Sequence, residues 1–406
     1  MSFLPWASLR YRAFALLLGA SVFVTTAQNM RQMQNLYQVY ELSGSAFQLG
    51  LTGLAQGIPI FIVGLFGGTL ADFMDRRRLL LLTISGNFLV ALVLGILSIT
   101  GSIRVWHILV GTALTSGINI ILNPARMAMI SALVPRSHLT NAASLNSSVS
   151  QSSHFTGPML AGLSLAWMDA GHAYLLNALF YFPAAAGVLL LKIPPAPQGA
   201  RETLSMKSIM GGVRFLARER VVFALVLLDF MIIGMGYYRP LLPVFAKDIF
   251  NVGPAGFGLL ASAPAIGGIL GVLVLLVIGD VEQKGLMALW SFLVFSLSLG
   301  LFALSRNFWL ALLWVGILGL TNSLQAVMRQ TAFHLLTPDQ VRGRAFSVFN
   351  MFSQGANSVG AMEVGFAASL LGAPGALALG SIVGLIVTLM FWAAWPGLRR
   401  FGSDDG

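Results

Sequence analysis

The sequence predicts an α-helical membrane protein of about twelve spans. Hydrophobic residues fill 57% of the 406 positions, charged residues fill only 9%, and the mean hydropathy is +0.82. Because soluble domains carry roughly a quarter charged residues, a water-soluble fold is excluded. A spanning helix needs about 20 apolar residues, and the apolar runs here reach that length without the alternating polarity of barrel strands. The predicted fold class is therefore an all-α membrane protein.

Polar turns between the apolar runs place the predicted spans along the chain. Arg10 and Arg12 precede a first run that is too long for a cleavable signal, so we expect that run to remain as the first helix. The chain has no cysteine, which leaves neither disulfides nor thiolate metal sites. The twelve predicted spans are 13–40, 46–70, 79–99, 105–130, 139–167, 171–192, 220–249, 255–278, 285–304, 308–335, 343–371 and 375–396.

The net charge of +10 follows this topology and does not form one basic face, so we expect no nucleic-acid partner. With the N-terminus inside, 19 of the 24 lysine and arginine residues fall on the inner side. Arg31 and Arg239 lie within spans, and the outer loops hold Arg104, Lys247 and Arg306. The positive-inside rule then predicts a multi-pass protein of the bacterial inner membrane with both termini cytoplasmic.

The chain contains an internal duplication, visible as charged residues that recur at a fixed offset. Charged residues are scarce here, so such matches are not expected by chance. The offset is 208 residues early in each half and 203 residues later. The matched pairs include Arg10 with Arg218, Arg12 with Arg220, Arg31 with Arg239, Asp72 with Asp280, Asn119 with Asn322, and Arg126 with Arg329.

A polar, proline-rich stretch separates the two copies. We predict an N-terminal six-helix bundle at 1–192, a cytoplasmic linker at 193–219 and a C-terminal six-helix bundle at 220–406. A parallel repeat of this kind is typical of transporters whose binding site lies where the two bundles meet. The expected partners are a small-molecule substrate, protons and the lipid bilayer, and we expect a monomer.

One inner loop carries a glycine, a carboxylate and an arginine cluster. The run from Gly68 through Asp72 to Arg78 resembles the loop signature of the major facilitator superfamily, with Phe73 and Asp75 replacing the usual arginine and glycine. The resemblance implies a latch, because a carboxylate at a helix end bonds guanidinium groups and the positive end of a facing helix. The alternative is a solvated loop without a gating role. The predicted gating residues are Gly68, Asp72, Arg76, Arg126, Asp280, Arg329 and Arg344.

Further stretches resemble the branch of that superfamily that contains enterobactin-exporter-type proteins and multidrug exporters. They are Asn123-Pro-Ala-Arg126, Leu139-Thr-Asn141, Gly157-Pro158 and Leu336-Thr-Pro338. The resemblance implies two pseudo-symmetric six-helix bundles and secondary transport by alternating access. The Gly157-Pro158 pair also implies antiport and close helix packing, although Ser153 stands where a further glycine is usual.

Polar side chains recur on single faces of several predicted helices. Intramembrane polar residues normally face a bundle interior or a water-filled cavity, so these stripes predict a substrate cavity drawn from both halves. Hydrogen bonding between helices is the alternative for any single residue. The predicted cavity residues are Gln28, Arg31, Gln32, Asn35, Asn119, Asn123, Ser148, Gln151, Tyr238, Arg239, Asn322, Gln325, Gln354 and Asn357.

Two carboxylates lie deep within predicted spans and are the candidates for proton coupling. They are Asp229 and Glu363, and for each the alternative is a fixed structural ion pair. His154 is expected to be a packing residue. The sequence carries no recognisable catalytic, metal or nucleotide motif, so we expect neither an enzyme nor a cofactor.

The sequence therefore favours proton-coupled export of an amphipathic small molecule, such as a siderophore or a drug. A lysophospholipid transporter of the same fold is the first alternative. A non-transporting membrane sensor or an intramembrane enzyme is the second, but it would need a soluble signalling domain or paired catalytic residues, and neither is visible.

Overall fold

The computed structural model describes residues 6–73, 75–191, 220–279 and 281–401. Throughout these ranges the chain forms helices and the turns that join them. Eight helical stretches within them have the length and apolar composition of membrane spans. The predicted all-α membrane class is confirmed, whereas the exact number of twelve spans stays a prediction.

The helices of the N-terminal half follow a short 3-10 turn at Ala7–Arg10. Asp75 begins α3 by accepting hydrogen bonds from the backbone N–H groups of Arg77 and Arg78, which is an ordinary N-cap. The helices are α1 (Arg12–Ser43), α2 (Ala46–Phe73), α3 (Arg76–Ile99), α4 (Val105–Leu133), α5 (Leu139–Trp167), α6 (Ala170–Leu179) and α7 (Tyr181–Leu189).

The helices of the C-terminal half range in length from 3 to 56 residues. The last long one consists of two helical segments that meet at Gly372, whose φ of 74° lies in the region that favours glycine. This break falls between the eleventh and twelfth predicted spans. The helices are α8 (Arg220–Gly236), α9 (Leu242–Val244), α10 (Gly253–Ile278), α11 (Lys284–Leu304), α12 (Phe308–Leu336), α13 (Asp339–Ala394) and α14 (Pro396–Arg400).

Two predicted spans are not the single helices that we expected. The sixth is divided at Phe180, because Pro183 has no N–H to continue the ladder to Leu179. The seventh ends as a regular helix at Gly236, and the chain continues through a 3-10 turn, α9 and a π-helical turn to Ile249. Pro240 and Pro243 remove two backbone donors from this stretch, so a regular helix is not maintained there.

The chain divides into two compact units, Met1–Leu42 with Ile58–Thr203, and Ser43–Gly57 with Leu204–Gly406. Helix α2 therefore starts in the second unit and ends in the first. The predicted linker lies entirely outside the described residues, so the bundle boundaries at 192 and 220 stay a prediction.

The first unit has an apolar core crossed by buried polar residues. Phe14, Leu17, Met129 and Tyr181 belong to one cluster of fully or almost fully buried side chains. Helix α5 approaches α1 closely at Gly157, where a Cβ would lie 2.9 Å from the backbone nitrogen of Met30. The close packing expected from the Gly157-Pro158 pair is therefore present.

The second unit is held together by backbone contacts and aromatic rings. Helices α10 and α12 approach so closely that a Cβ on Gly319 would overlap the carbonyl oxygen of Pro264, and one on Gly267 would overlap that of Gly316. Such small-residue contacts replace the hydrophobic effect as the source of helix association in a bilayer. Phe245 and Phe302 add a stacked pair with centroids 4.4 Å apart.

Candidate transport site

A buried ion pair lies inside the second unit. Asp229 on α8 is 3% exposed, and its carboxylate bonds the guanidinium of Arg329 on α12. The Arg329 guanidinium carbon also lies 5.1 Å above the ring of Phe349. The sequence predicts Asp229 for proton coupling and Arg329 for gating. The two residues are in direct contact in the structure.

The matching position of the first unit holds an arginine in a different environment. Arg126 on α4 lines a small cavity together with Ser21 of α1, and apolar side chains form the other walls. Its Nε atom is buried and has no hydrogen-bond partner in the described structure. The cavity lining is Leu17, Ala20, Ser21, Val24, Leu80, Ile84, Arg126 and Val188.

Arg31 is buried deep in the first unit, with 3% of its surface exposed. Its Nη2 donates to the side-chain oxygen of Asn87 at 2.8 Å, and its Nη1 donates to the hydroxyl of Tyr181 at 3.1 Å. The acceptors are neutral groups on α3 and α7. Arg31 therefore ties three helices together, and its role in a substrate cavity stays a prediction.

Two more predicted cavity residues of α1 are also committed to bonds inside the unit. The side chain of Asn35 donates to Thr112 at 2.9 Å and accepts from the hydroxyl of Tyr174 at 2.8 Å. Gln28 donates to Asn119 at 2.7 Å, so these two predicted residues are brought together. Gln32 of the same stripe is half-buried.

Other predicted cavity residues lie on the surface of their own unit. Ser148 and Gln151 on α5 are exposed, as are Asn322 on α12 and Gln354 on α13, and Asn357 is half-buried. Exposed polar side chains in the middle of apolar helices are costly in lipid and favour a watery environment. These residues remain the cavity candidates.

Three further cavity candidates, Gln325, Tyr238 and Arg239, belong to the second unit. Gln325 is 2% exposed and donates to the carbonyl of Ser291 at 3.0 Å, and Tyr238 is buried with its ring edge-to-face against Phe302. Arg239 lies beside the Tyr238 hydroxyl in the 3-10 turn. The side chain of Asn123 lies outside the described residues.

Glu363 on α13 is half-buried in the second unit. Its Oε2 atom is buried and has no hydrogen-bond partner among the described residues. It therefore differs from Asp229, whose counter-charge is in direct contact.

The predicted gating residues are only partly described. Gly68 and Asp72 lie in the last turns of α2, but the Asp72 side chain, the Arg344 side chain and Asp280 lie outside the described residues. Arg76 opens α3, and the neighbouring Arg77 donates to the backbone carbonyls of Val188 and Leu189 at the end of α7. A cation at a helix C-terminus is favourable, and the sequence pattern alone does not indicate this contact.

The sequence did not predict the hydrogen-bond partners of the buried polar residues on α1. These partners lie on helices of largely apolar sequence, so no polar face at helical spacing indicates them. They are Asn87, Thr112, Tyr174 and Tyr181. The available signal was indirect: a buried Arg31 requires acceptors, and buried asparagine and tyrosine residues are the groups that can supply them.

Comparison with known proteins places this geometry in a family. The sequence model of the transmembrane secretion effector family matches residues 3–401. The staphyloferrin A transporter of Staphylococcus aureus is 27% identical over 353 residues, covering 86% of this chain and 87% of that protein. The enterobactin exporter EntS of Shigella boydii is 28% identical over 369 residues, covering 90% and 87%.

Solved transporters share the fold. The nucleoside transporter NupG has a TM-score of 0.77 at 13% identity, covering 95% of this chain and 99% of that chain. A bacterial homologue of the human lysosomal transporter Spinster has a TM-score of 0.71 at 14% identity, covering 97% of both chains. The family match spans nearly the whole sequence, and the fold agrees with it. The chain is a multi-pass membrane transporter, not an enzyme, and belongs to the transmembrane secretion effector family of the major facilitator superfamily.

Proposed function

We propose that this transporter exports an amphipathic small molecule, such as a siderophore or a drug, across the bacterial inner membrane in exchange for protons. The ion pair between Asp229 and Arg329 is the observation that carries the proposal. The two relatives named above handle the siderophores in their names, which supports the substrate class. Both termini are cytoplasmic in this proposal, as the distribution of arginine and lysine favours.

Asp229 is suited to proton coupling because its carboxylate has a single dominant counter-charge. When the carboxylate is ionised, it attracts Arg329 strongly in a medium of low dielectric constant. When a proton binds, the attraction is lost and the guanidinium must find another partner. The two protonation states of Asp229 therefore stabilise different arrangements of α8 and α12, which is what coupling requires.

Glu363 is the second coupling candidate. It is half-buried without a counter-charge in the described structure, so its protonation does not break an ion pair. We assign it the lesser role, because a proton bound there changes fewer protein contacts than a proton bound to Asp229.

The exposed polar residues on α5, α12 and α13 are proposed to contact the substrate during alternating access. The gating set around Asp72 is proposed to bias the conformational equilibrium and not to contact the substrate.

The test uses purified protein in liposomes and compares two measurements for each variant. The first is accumulation driven by a proton gradient, and the second is counterflow without a gradient, each with a panel of siderophores, drugs and lysophospholipids. We expect Asp229→Asn to abolish accumulation and to retain part of the counterflow. Asp169→Asn is the matched control, because Asp169 is an exposed acid in a turn.

The outcome can contradict the proposal in separate parts. If Asp229→Asn and Glu363→Gln both concentrate substrate as the wild type does, neither carboxylate couples protons. If only lysophospholipids are transported, the substrate class is wrong while the transport mechanism stands.

A further inference from the structure

An open apolar groove of about 600 Å³ lies in the first unit, along helices α3, α6 and α7. Its volume is within the range of ligand-binding cavities. Helix α6 contributes four lining residues at the spacing i, i+3, i+4 and i+7, which places them on one face. They are His172, Leu175, Leu176 and Leu179. The mechanism of transport proposed above makes no use of this groove.

The groove has one polar end and one apolar end. Asp169 begins α6 by accepting the backbone N–H of His172, so His172 lies in the first turn of the membrane span Ala170–Leu189. His172 is exposed there, and the other side chains that line the groove are apolar. Phe182 is the lining residue of this span farthest from the turn, and its ring lies edge-to-face against Phe88 of α3, with centroids 5.2 Å apart. These two rings form the apolar end.

The length of the groove matches one leaflet of a bilayer. His172 and Phe182 are ten residues apart, which is about 15 Å along a helix. The hydrocarbon core is about 30 Å thick, so the groove extends from one bilayer surface to about the middle. Leu179 and Phe182 are 56% and 58% exposed. Polar groups of spanning helices face protein or water, whereas such large exposed apolar side chains face lipid tails. The groove is therefore continuous with the lipid-facing surface of the unit.

We propose that this groove binds one acyl chain of a phospholipid, with the headgroup beside His172 at the bilayer surface. The apolar walls contact the chain, and the polar end receives the part of the lipid that carries the phosphate, so the orientation of the lipid is fixed. A groove that contained no atoms would lose dispersion contacts along all its walls, and a seated chain restores them. The lipid is a bound component of the membrane and not the transported molecule. The inference therefore does not depend on the proposed export.

Photochemical crosslinking of the full-length protein in liposomes tests the groove. The probe is a phosphatidylethanolamine with a diazirine at the end of one acyl chain, and crosslinked residues are identified by mass spectrometry. The reference is Ile386, which is 52% exposed and lies near the middle of the last predicted span, 375–396. We expect about tenfold more crosslinks at Phe88 and Phe182 than at Ile386, because a seated chain gains about ten atom contacts over a freely moving one. A diazirine in the headgroup should label His172 and Met168 instead.

Leu179→Trp fills the groove with a larger side chain. Because Leu179 is more than half exposed, the indole is added without repacking the core of the unit. We expect crosslinks from the chain end at Phe88 to fall about tenfold, since extra atoms in an occupied site are strongly unfavourable. Ile386→Trp is the matched control, because it adds the same ring to a similarly exposed position outside the groove. It should leave the crosslinks at Phe88 unchanged.

The wild-type crosslinks decide the question even if Leu179→Trp does not fold. The proposal is overturned if the chain-end probe labels Phe88 and Phe182 no more often than Ile386, or if folded Leu179→Trp is labelled at Phe88 as the wild type is. Labelling of Phe88 by the headgroup probe would contradict the orientation. The measurements use neither a proton gradient nor a transported compound. A failure of the export proposal therefore leaves this result unaffected, and a failure here leaves the export proposal unaffected.

Discussion

The two units place arginines at equivalent positions of the repeat and surround them with different side chains. Arg329 has a carboxylate and an aromatic ring, whereas Arg126 has a serine hydroxyl and aliphatic walls. Arg31 in the first unit bonds neutral side chains of two other helices, and its repeat partner Arg239 lies next to a tyrosine of its own turn. The duplicated backbone thus fixes where a cation is placed, while the residues facing it decide what it can do.

The interiors of the units differ in the same way. The first unit is crossed by hydrogen bonds between helices, such as that from Asn177 to the carbonyl of Ala27 at 2.7 Å. The second unit relies on glycine contacts that bring backbones together. Helix packing in the first unit depends on polar side chains, and helix packing in the second unit depends on glycines that have no side chain. Substitutions in each unit should therefore fail for different reasons.

The largest expected effect is at the buried pair. Asp229→Ala leaves Arg329 buried without its counter-charge, so we expect a loss of about 3–5 kcal/mol of stability. Arg126→Gln removes a cation that has no carboxylate partner in its cavity, so it should cost little or should stabilise. Unfolding midpoints in detergent measure both. Equal losses would contradict the difference between the two arginines.

The glycine contacts of the second unit should be the next most sensitive. Gly319→Ala forces α10 and α12 apart, and we expect it to cost about 1–3 kcal/mol. Gly234 on α8 is the matched control, since a Cβ there meets nothing within 4 Å. Gly234→Ala should stabilise by about 0.5–1 kcal/mol, because alanine is the better helix former. The same unfolding assay applies, and a neutral Gly319→Ala would show that the helices separate at no cost.

The hydrogen bonds of the first unit should each contribute less. Tyr174→Phe removes the bond to Asn35 and keeps the ring, so we expect a loss of about 0.6 kcal/mol and at most about 1.7 kcal/mol, the average and maximum for polar contacts between membrane helices. Tyr181→Phe provides a second measurement next to Arg31. A loss as large as that of Asp229→Ala would mean that the network acts as one cooperative unit.

The smallest effect is expected at the exposed pair of Asp169 and His172. The backbone N–H and the ring of His172 bond the Asp169 carboxylate and hold its pKa below the usual value. Because the folded pKa is lowered, the stabilisation is present above about pH 4, the unfolded value, and is lost as the pH falls through the folded value. The difference in melting temperature between the wild type and Asp169→Ala should therefore shrink below about pH 4. If the difference in melting temperature is unchanged at low pH, the stabilisation by Asp169 comes from packing and not from its charge.

The sequence was sufficient to predict the helices and much of their placement. The fifth predicted span coincides with α5, and the break at Gly372 falls where two spans were separated, because glycine and proline mark such boundaries strongly. The divisions at Phe180 and after Gly236 were missed, although Pro183, Pro240 and Pro243 carry the reason for them. Both stretches are continuously apolar, so hydropathy predicted single helices there despite the prolines.

The site was less predictable, because periodicity within one helix does not say which helix faces it. The sequence predicts Asp229 for proton coupling and Arg329 for gating, but their contact depends on the packing of α8 against α12. The Arg31 acceptors on α3 and α7 were missed for the same reason. All polar residues at helical spacing were predicted to face the cavity. The prediction therefore grouped exposed side chains such as Gln151 with buried ones such as Asn35.

Helix α2 has a mechanical consequence. Residues 46–73 form one continuous helix with a proline in its interior. Pro59 has no N–H for the carbonyl of Ala55. Bending is easiest where a ladder bond is missing. When α2 bends, the change in backbone angles should therefore be concentrated near Pro59, and the helical segments on either side should stay regular.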